Sequence, residues 1–149
     1  MRDKKIQIGV IDGQGGGMGR VLVERIRAEY PSAVIRALGT NSLATASMIK
    51  SGADSGASGE NAVVFNAGKM DILIGPIGVA MANGLLGEVS PAMAGAVMAS
   101  DAVKIFLPPQ KKCGFYFACG KKEPLHACLE EAMEILKDAV QSLLDPSSL

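Results

Sequence analysis

The chain has 149 residues, of which 48% are hydrophobic and 20% charged, and 15 basic side chains balance 15 acidic ones. This length fits a single domain over residues 1–149 whose core needs no disulfide or metal to hold it together. A net charge of zero lacks the basic excess of a nucleic-acid-binding protein, so we expect no nucleic-acid partner.

The charged N-terminus and the longest apolar region argue against a secreted protein and a membrane protein. The N-terminus, Met1 to Lys5, is charged and leads directly into an apolar run, which is unlike a secretory signal. The long apolar region from Ile72 to Ala99 never reaches the roughly 18–20 apolar residues of a membrane span, because polar residues and prolines interrupt it. We therefore expect a cytoplasmic protein without a membrane partner.

Apolar runs and helical spacing alternate along the chain. Buried strands are predicted at Lys5–Ile11, Ala33–Leu38, Asp71–Ile74 and Val103–Leu107. Helices are predicted at Arg20–Glu29, from Asn41 or Ser42 to about Lys50, at Glu60–Gly68, from Ser90 through Ser100, and from Pro124 to about Leu144. This alternation predicts an α/β fold with three layers, a Rossmann-like doubly wound sheet of about five strands.

Three segments leave room for alternatives. Residues 62–66 contain Val-Val-Phe and would also suit a strand. The stretch Ser51–Gly59, built from small residues and one Asp, is either a mobile loop or a second ligand-facing loop. Phe115–Cys119 reads as a fifth strand, and only seven residues separate it from its predecessor. A parallel crossover needs a dozen or more residues, so we expect this last strand to run antiparallel to its predecessor if the two are adjacent.

The segment from Asp12 to Arg20 holds five glycines in nine residues, between the first predicted strand and the first predicted helix. Glycine lets a backbone approach a ligand closely, and a helix N-terminus attracts anions. This pattern predicts a phosphate group bound at the helix start, with Arg20 as its cationic contact. Asp12 would repel that phosphate, so it either has a purely structural role, caps the N–H groups of the loop, binds a metal or accepts from a hydroxyl.

The spacing of the glycines narrows the ligand only partly. Gly13, Gly17 and Gly19 fit the pattern Gly-x-x-x-Gly-x-Gly, which resembles the cofactor loop of short-chain dehydrogenases. The acidic ribose reader at the end of the second strand and the Tyr-x-x-x-Lys pair are absent, and no Gly-Lys-Ser/Thr follows for a Walker-type loop. The sequence thus leaves a nucleotide or an NAD(P)-like cofactor as the possible ligand.

In an open parallel sheet, ligands bind beyond the carboxyl ends of the strands. The ends of three predicted strands are rich in Gly, Pro, Asn and Thr, as backbone-lined pockets often are. The expected ligand-binding residues are Asp12, Gly13, Gln14, Gly15, Gly16, Gly17, Met18, Gly19, Arg20, Thr40, Asn41, Gly75, Pro76, Ile77 and Gly78.

Side chains for catalysis are sparse, and we assign no catalytic residue. Cys113 is the best candidate nucleophile because Lys111 and Lys112 precede it, although a buried reduced thiol is the simpler interpretation for all three cysteines, whose spacing matches no zinc site. His126 is expected at the surface or at a helix cap. Glu88 and Asp101 are expected to be surface carboxylates that flank helices.

A second class of function is therefore possible. The helix predicted from Pro91 to Ala99 is small and rich in Ala and Met, which suits either a contact between subunits of a homo-oligomer or weak core packing. A non-catalytic regulatory or assembly module is the alternative to a ligand-binding protein.

Several motifs resemble a small bacterial family catalogued as domain of unknown function 3842, which occurs in anaerobic, clostridia-like bacteria. They are residues 11–19, 39–45, 59–64, 71–78 and 85–94, and the resemblance runs from about residue 6 to residue 119. Family members carry an Asn-x-Cys-Asn-type stretch where this chain has Gln110 to Gly114, so only the cysteine matches. The resemblance implies no established activity.

A more distant likeness concerns the 2-phospho-lactate transferase family. Residues 71–107 are similar to it in layout: a strand ending in Gly-Pro, a Leu-Leu stretch, a helix and then a Lys-Ile strand. Members of that group are much longer chains. The likeness implies a phosphorylated or nucleotide ligand beside the glycine-rich first loop.

Overall fold

The computed structural model describes residues 4–110, 114, 116–118, 120 and 122–148. These residues form one five-stranded sheet in the order β3-β2-β1-β4-β5, and every strand pair in it is parallel. The strands are β1 Gln7–Asp12, β2 Val34–Gly39, β3 Ser55–Ser58, β4 Ile72–Pro76 and β5 Val103–Leu107. The helices are α1 Gly17–Glu29, α2 Ser42–Lys50, α3 Glu60–Ala67, α4 Pro91–Ala99 and α5 Leu125–Leu144.

Two hydrophobic clusters cover the two faces of the sheet. Alternate residues of β1 enter different clusters: Ile8 and Val10 join one, and Ile11 joins the other. The first cluster contains the buried sides of α1, α2 and α5, and the second contains those of α3 and α4. Because both faces are covered, the strands carry few polar residues, as parallel strands do.

The predicted mostly parallel α/β sheet is confirmed, and so are the five helices, with small shifts of their ends. In α1, Leu22, Val23 and Ile26 are fully buried at helical spacing. The strand alternative for residues 62–66 is wrong, because α3 spans them and buries Val63 and Ala67 one helical turn apart.

The prediction of an antiparallel last strand is wrong. Residues 116–118 form no strand, and residues 115 and 119 lie outside the described part of the chain. The fifth strand is instead Ser55–Ser58, which pairs in parallel with β2 in a segment expected to be a loop. Its small side chains serve close packing: a Cβ on Gly56 would stand 2.8 Å from Thr45 Cγ2 of α2.

The helices of the described residues include none that combines the length and the apolar character needed to cross a bilayer.

Candidate functional site

The carboxyl ends of β1 and β4 lie side by side at the centre of one edge of the sheet. From β1 the chain continues toward β2 and β3 on one side, whereas β5 lies on the other side of β4. Open α/β sheets bind ligands at such a switch point. The loop that ends β1, the turn that ends β2 and the long loop after β4 all meet here.

The glycines of the first loop fall into two groups. Gly13, Gly16 and Gly19 are buried, and a Cβ on each would collide with a neighbour: with Thr40 Oγ1 at 2.5 Å, with Ala44 Cα at 2.8 Å and with Met48 Sδ at 2.6 Å, respectively. A Cβ on Gly15 or Gly17 would meet nothing within 4 Å. The first group is needed for packing, whereas the second leaves an open surface above the loop.

Helix α1 starts beneath that open surface. The N-cap residue of the helix is Gly16, which has a left-handed conformation at φ 71°. Because Gly16 has no side chain, the N-cap residue provides no capping hydrogen bond. The N–H groups of Gly15, Gly17 and Met18 have no partner within the part of the chain that the structure describes. Free N–H groups at a helix start form an anion-binding surface, since the helix dipole adds to their attraction.

Asp12 caps this loop from below. Its two carboxylate oxygens accept from the N–H of Gly13 at 2.8 Å and from the N–H of Gly19 at 2.7 Å. Four roles were considered for Asp12, and these two bonds correspond to one of them, the capping of N–H groups in its own loop. Burial raises its pKa above the usual 3.8, the bonds from Gly19 and Gly13 oppose the rise, and the charge of Glu88 adds to it.

Glu88 is the side chain that sequence reasoning missed. It is half-buried, and its carboxylate accepts from the backbone N–H of Gln14, from Thr40 Oγ1 and from Asn41 Nδ2, at 3.0–3.2, 3.1 and 2.5 Å. The expectation that Glu88 is a helix-flanking surface carboxylate is therefore wrong. The available signal was its place downstream of the Gly-Pro end of the third predicted strand.

Thr40 and Asn41 are both engaged with protein groups. Besides its bond to Glu88, Asn41 donates to the carbonyl of Gln14 at 2.9 Å, and its Oδ1 accepts from the N–H of Ala44 as the cap of α2. The structure brings these two predicted site residues to the glycine loop. It joins them to that loop through Glu88 and through the direct bond from Asn41 to Gln14.

The Gly75–Gly78 segment is at the same edge but is separated from the glycine loop. A Cβ on Gly75 would collide with the carbonyl oxygen of Ile11, so this glycine serves the close approach of β4 to β1. Leu85 packs beside both Gly78 and Gly13, where added Cβ atoms would lie 3.1 and 2.7 Å from its methyl groups. Leu85 therefore lies against both of the glycine segments that were predicted to bind the ligand.

The loop that carries Leu85 and Glu88 has an unusual backbone. Asn83, Leu85 and Leu86 have φ of 63°, 54° and 58°, in the left-handed region that side chains other than Asn and Asp rarely adopt. Hydrogen bonds close the loop, including Asn83 N–H to Val89 O at 2.7 Å. Leu86 is 96% exposed, so its strain is not offset by burial.

The other candidate reactive groups are paired with another side chain, exposed, buried or outside the described residues. Arg20 forms an ion pair with Glu24 at 3.2 Å on the exposed side of α1. His126 and Asp101 are exposed, as expected, and Cys128 is buried. Cys113 lies outside the described residues, among which no group of three or more His, Cys, Asp or Glu is placed to hold a metal.

Comparison with known families agrees with the motifs of this edge. No curated protein matches the chain. A family described as a domain of unknown function, DUF3842, matches residues 7–141, from β1 into α5. Because this match covers most of the chain, the protein belongs to the DUF3842 family.

Proposed function

We propose that this protein binds a small phosphate-bearing molecule, a nucleotide or dinucleotide, at the start of α1. The observation that carries the proposal is the set of three backbone N–H groups, of Gly15, Gly17 and Met18, beneath an open surface. A phosphate oxygen would accept from these groups and gain from the positive end of the helix.

The architecture supports the same ligand class. The strand order β3-β2-β1-β4-β5 is that of the first five strands of Rossmann-type dinucleotide-binding domains, with helices on both faces in three layers. In those domains the glycine-rich turn after the first strand holds the pyrophosphate. The loop from Gly13 to Gly16 occupies that position here.

The carboxylates of the site support one position for the proposed phosphate. Asp12 and Glu88 already accept from the N–H groups of Gly13, Gln14 and Gly19. A phosphate would therefore lie over Gly15 and Gly17, on the side of the loop where no carboxylate is hydrogen-bonded. The proposal concerns binding, and it assigns no catalytic role to any residue.

Calorimetry of the wild type, Gly17→Val and Gly68→Val with ADP, NAD and inorganic pyrophosphate tests this proposal. Both glycines are exposed, and a Cβ on either meets nothing within 4 Å, so both variants should fold. We expect Gly17→Val to weaken binding at least about tenfold, the loss of one or two charge-assisted hydrogen bonds, and Gly68→Val to bind like the wild type. Equal binding by Gly17→Val, or no binding by the wild type, would contradict the proposal.

A homo-oligomeric assembly module is the second candidate, favoured by the outer surface of α4. This surface is apolar and exposed, and it consists of Pro91, Ala92, Gly95, Met98 and Ala99. Met98 is 52% exposed, and the small residues around it would let a second helix approach closely. Light scattering of the wild type and Met98→Glu tests assembly through this face: a monomeric wild type, or an oligomer unchanged by Met98→Glu, would exclude it.

A further inference from the structure

We infer that Glu88 is the specificity residue of the site and that it accepts a hydrogen bond from the 2′-hydroxyl of a ribose in the ligand. This inference rests on the proposed function, and it narrows the ligand to a ribonucleotide without a 2′-phosphate. It starts from the absence of an acidic ribose-binding residue at the end of β2. The end of β2, where dinucleotide-binding domains place an acidic ribose reader, holds Gly39, Thr40 and Asn41, which carry no charge.

The fold brings an acid to that position from another strand. Glu88 follows β4, yet its carboxylate bonds to the side chains of Thr40 and Asn41, the two residues after β2. It also bonds to the N–H of Gln14 in the glycine loop. The acidic group therefore lies between the end of β2 and the loop proposed to hold phosphate. In a nucleotide the ribose is directly attached to the phosphate, so a ribose bound beside that loop would lie near Glu88.

The carboxylate is fixed in place before any ligand arrives. Its donors come from the loops after β1 and β2, and the N–H of Glu88 itself donates to Leu85 O at 3.2 Å. Leu85 and Leu86 keep a left-handed backbone, which L residues other than Asn and Asp rarely adopt. Strain of this kind persists where the surrounding structure requires one geometry, and it concentrates at ligand sites.

The two oxygens of Glu88 are not equally occupied. Among the described residues, Oε1 accepts from Thr40 Oγ1 and Asn41 Nδ2, whereas Oε2 accepts from the N–H of Gln14, which it shares with Oε1. Each carboxylate oxygen has two acceptor positions, so one position of Oε2 is not used by the described residues. A ribose hydroxyl is a suitable donor for that position. A 2′-phosphate would instead meet a like charge.

The test compares ADP, 2′-deoxy-ADP and inorganic pyrophosphate by calorimetry in the wild type, Glu88→Gln and Glu134→Gln. The last variant removes the same charge from the exposed side of α5 and serves as the control. We expect the wild type and the control to bind ADP at least about tenfold more tightly than 2′-deoxy-ADP, the effect of one hydrogen bond to a charged group. In Glu88→Gln this ratio should fall several-fold, because a neutral amide oxygen accepts a hydrogen bond more weakly than a carboxylate does.

Pyrophosphate separates recognition of the ribose from a structural role. Because Glu88→Gln removes a negative charge near the phosphate loop, it should bind pyrophosphate as well as the wild type does or more tightly. An unchanged ADP to 2′-deoxy-ADP ratio in Glu88→Gln would overturn the inference, and so would an equal weakening of all three ligands, while the proposed function would stand. A wild type that binds neither pyrophosphate nor ADP would overturn both.

Discussion

The buried carboxylate of Asp12, the last residue of β1, accepts the backbone N–H of Gly19 in the first turn of α1 at 2.7 Å. The strand thus caps the helix that follows it, across a loop that provides no cap of its own. Asp12→Asn would turn an amide N–H₂ toward one of the two N–H donors, Gly13 or Gly19. We expect a loss of about 1–3 kcal/mol of unfolding free energy, measured by urea denaturation. The exposed Asp101→Asn should change it little, and a stable Asp12→Asn would contradict the capping role.

A second prediction concerns pH. Burial, opposed by the bonds from Gly19 and Gly13 and aided by the charge of Glu88, raises the pKa of Asp12 above 3.8. The folded protein then keeps this proton to higher pH than the unfolded chain does. The contribution of Asp12 to the unfolding free energy therefore falls as the pH rises from 3.8 through the raised pKa, and it is constant above that.

Glu88→Gln should narrow this pH window, because it removes one cause of the raised pKa. Carbon-13 NMR of the Asp12 carboxyl group measures the pKa directly in both proteins. The same pKa in the wild type and Glu88→Gln would show that the Glu88 charge does not act on Asp12.

A third prediction separates the two groups of loop glycines. Gly16→Ala would force an L side chain to φ 71° and set its Cβ 2.8 Å from Ala44 Cα, so we expect a loss of at least about 1–2 kcal/mol of unfolding free energy. Gly15→Ala should leave the stability within about 0.5 kcal/mol, because its Cβ points into open space. Thermal and chemical denaturation of both variants measures the difference. Equal stabilities would contradict the left-handed conformation of Gly16 and its close contact with Ala44.

A fourth prediction concerns the strained loop. Leu86 is 96% exposed at φ 58°, and Asn adopts this conformation more readily than Leu does. We expect Leu86→Asn to raise the unfolding free energy by about 0.5–1 kcal/mol and Tm by about 2 °C. Leu43→Asn makes the same change at an exposed position of α2, where Asn is a poorer helix former, so it should lower stability.

The local sequence pattern was sufficient to predict the elements in which apolar residues or glycines recur at short spacing. The apolar run of β1, the glycines after it and the spaced apolar residues of α5 each carry their structure in neighbouring residues, and all three were predicted. Ser55–Ser58 carries no such signal, because a short exposed strand at the end of a sheet needs no alternating apolar residues. Its conformation depends on pairing with β2, which is a tertiary contact.

In the candidate site, too, features that depend on neighbouring residues were easier to predict than features that depend on distant ones. A glycine-rich loop before a helix was predicted from residues 12–20, although α1 starts at Gly17 and not at Arg20. The role of Glu88 depends on bonds to Gln14 and Asn41, which are 74 and 47 positions away in the chain. No spacing rule connects such residues, so a carboxylate of this kind is indistinguishable in the sequence from a surface one.

The composition of β3 also bears on the behaviour of the protein at high concentration. A terminal strand exposes a row of backbone donors and acceptors that can recruit a strand from another molecule. Here that row is only four residues long and carries Ser, Gly and Ala instead of adhesive β-branched or aromatic side chains. Growth of the sheet from molecule to molecule is therefore disfavoured on this side.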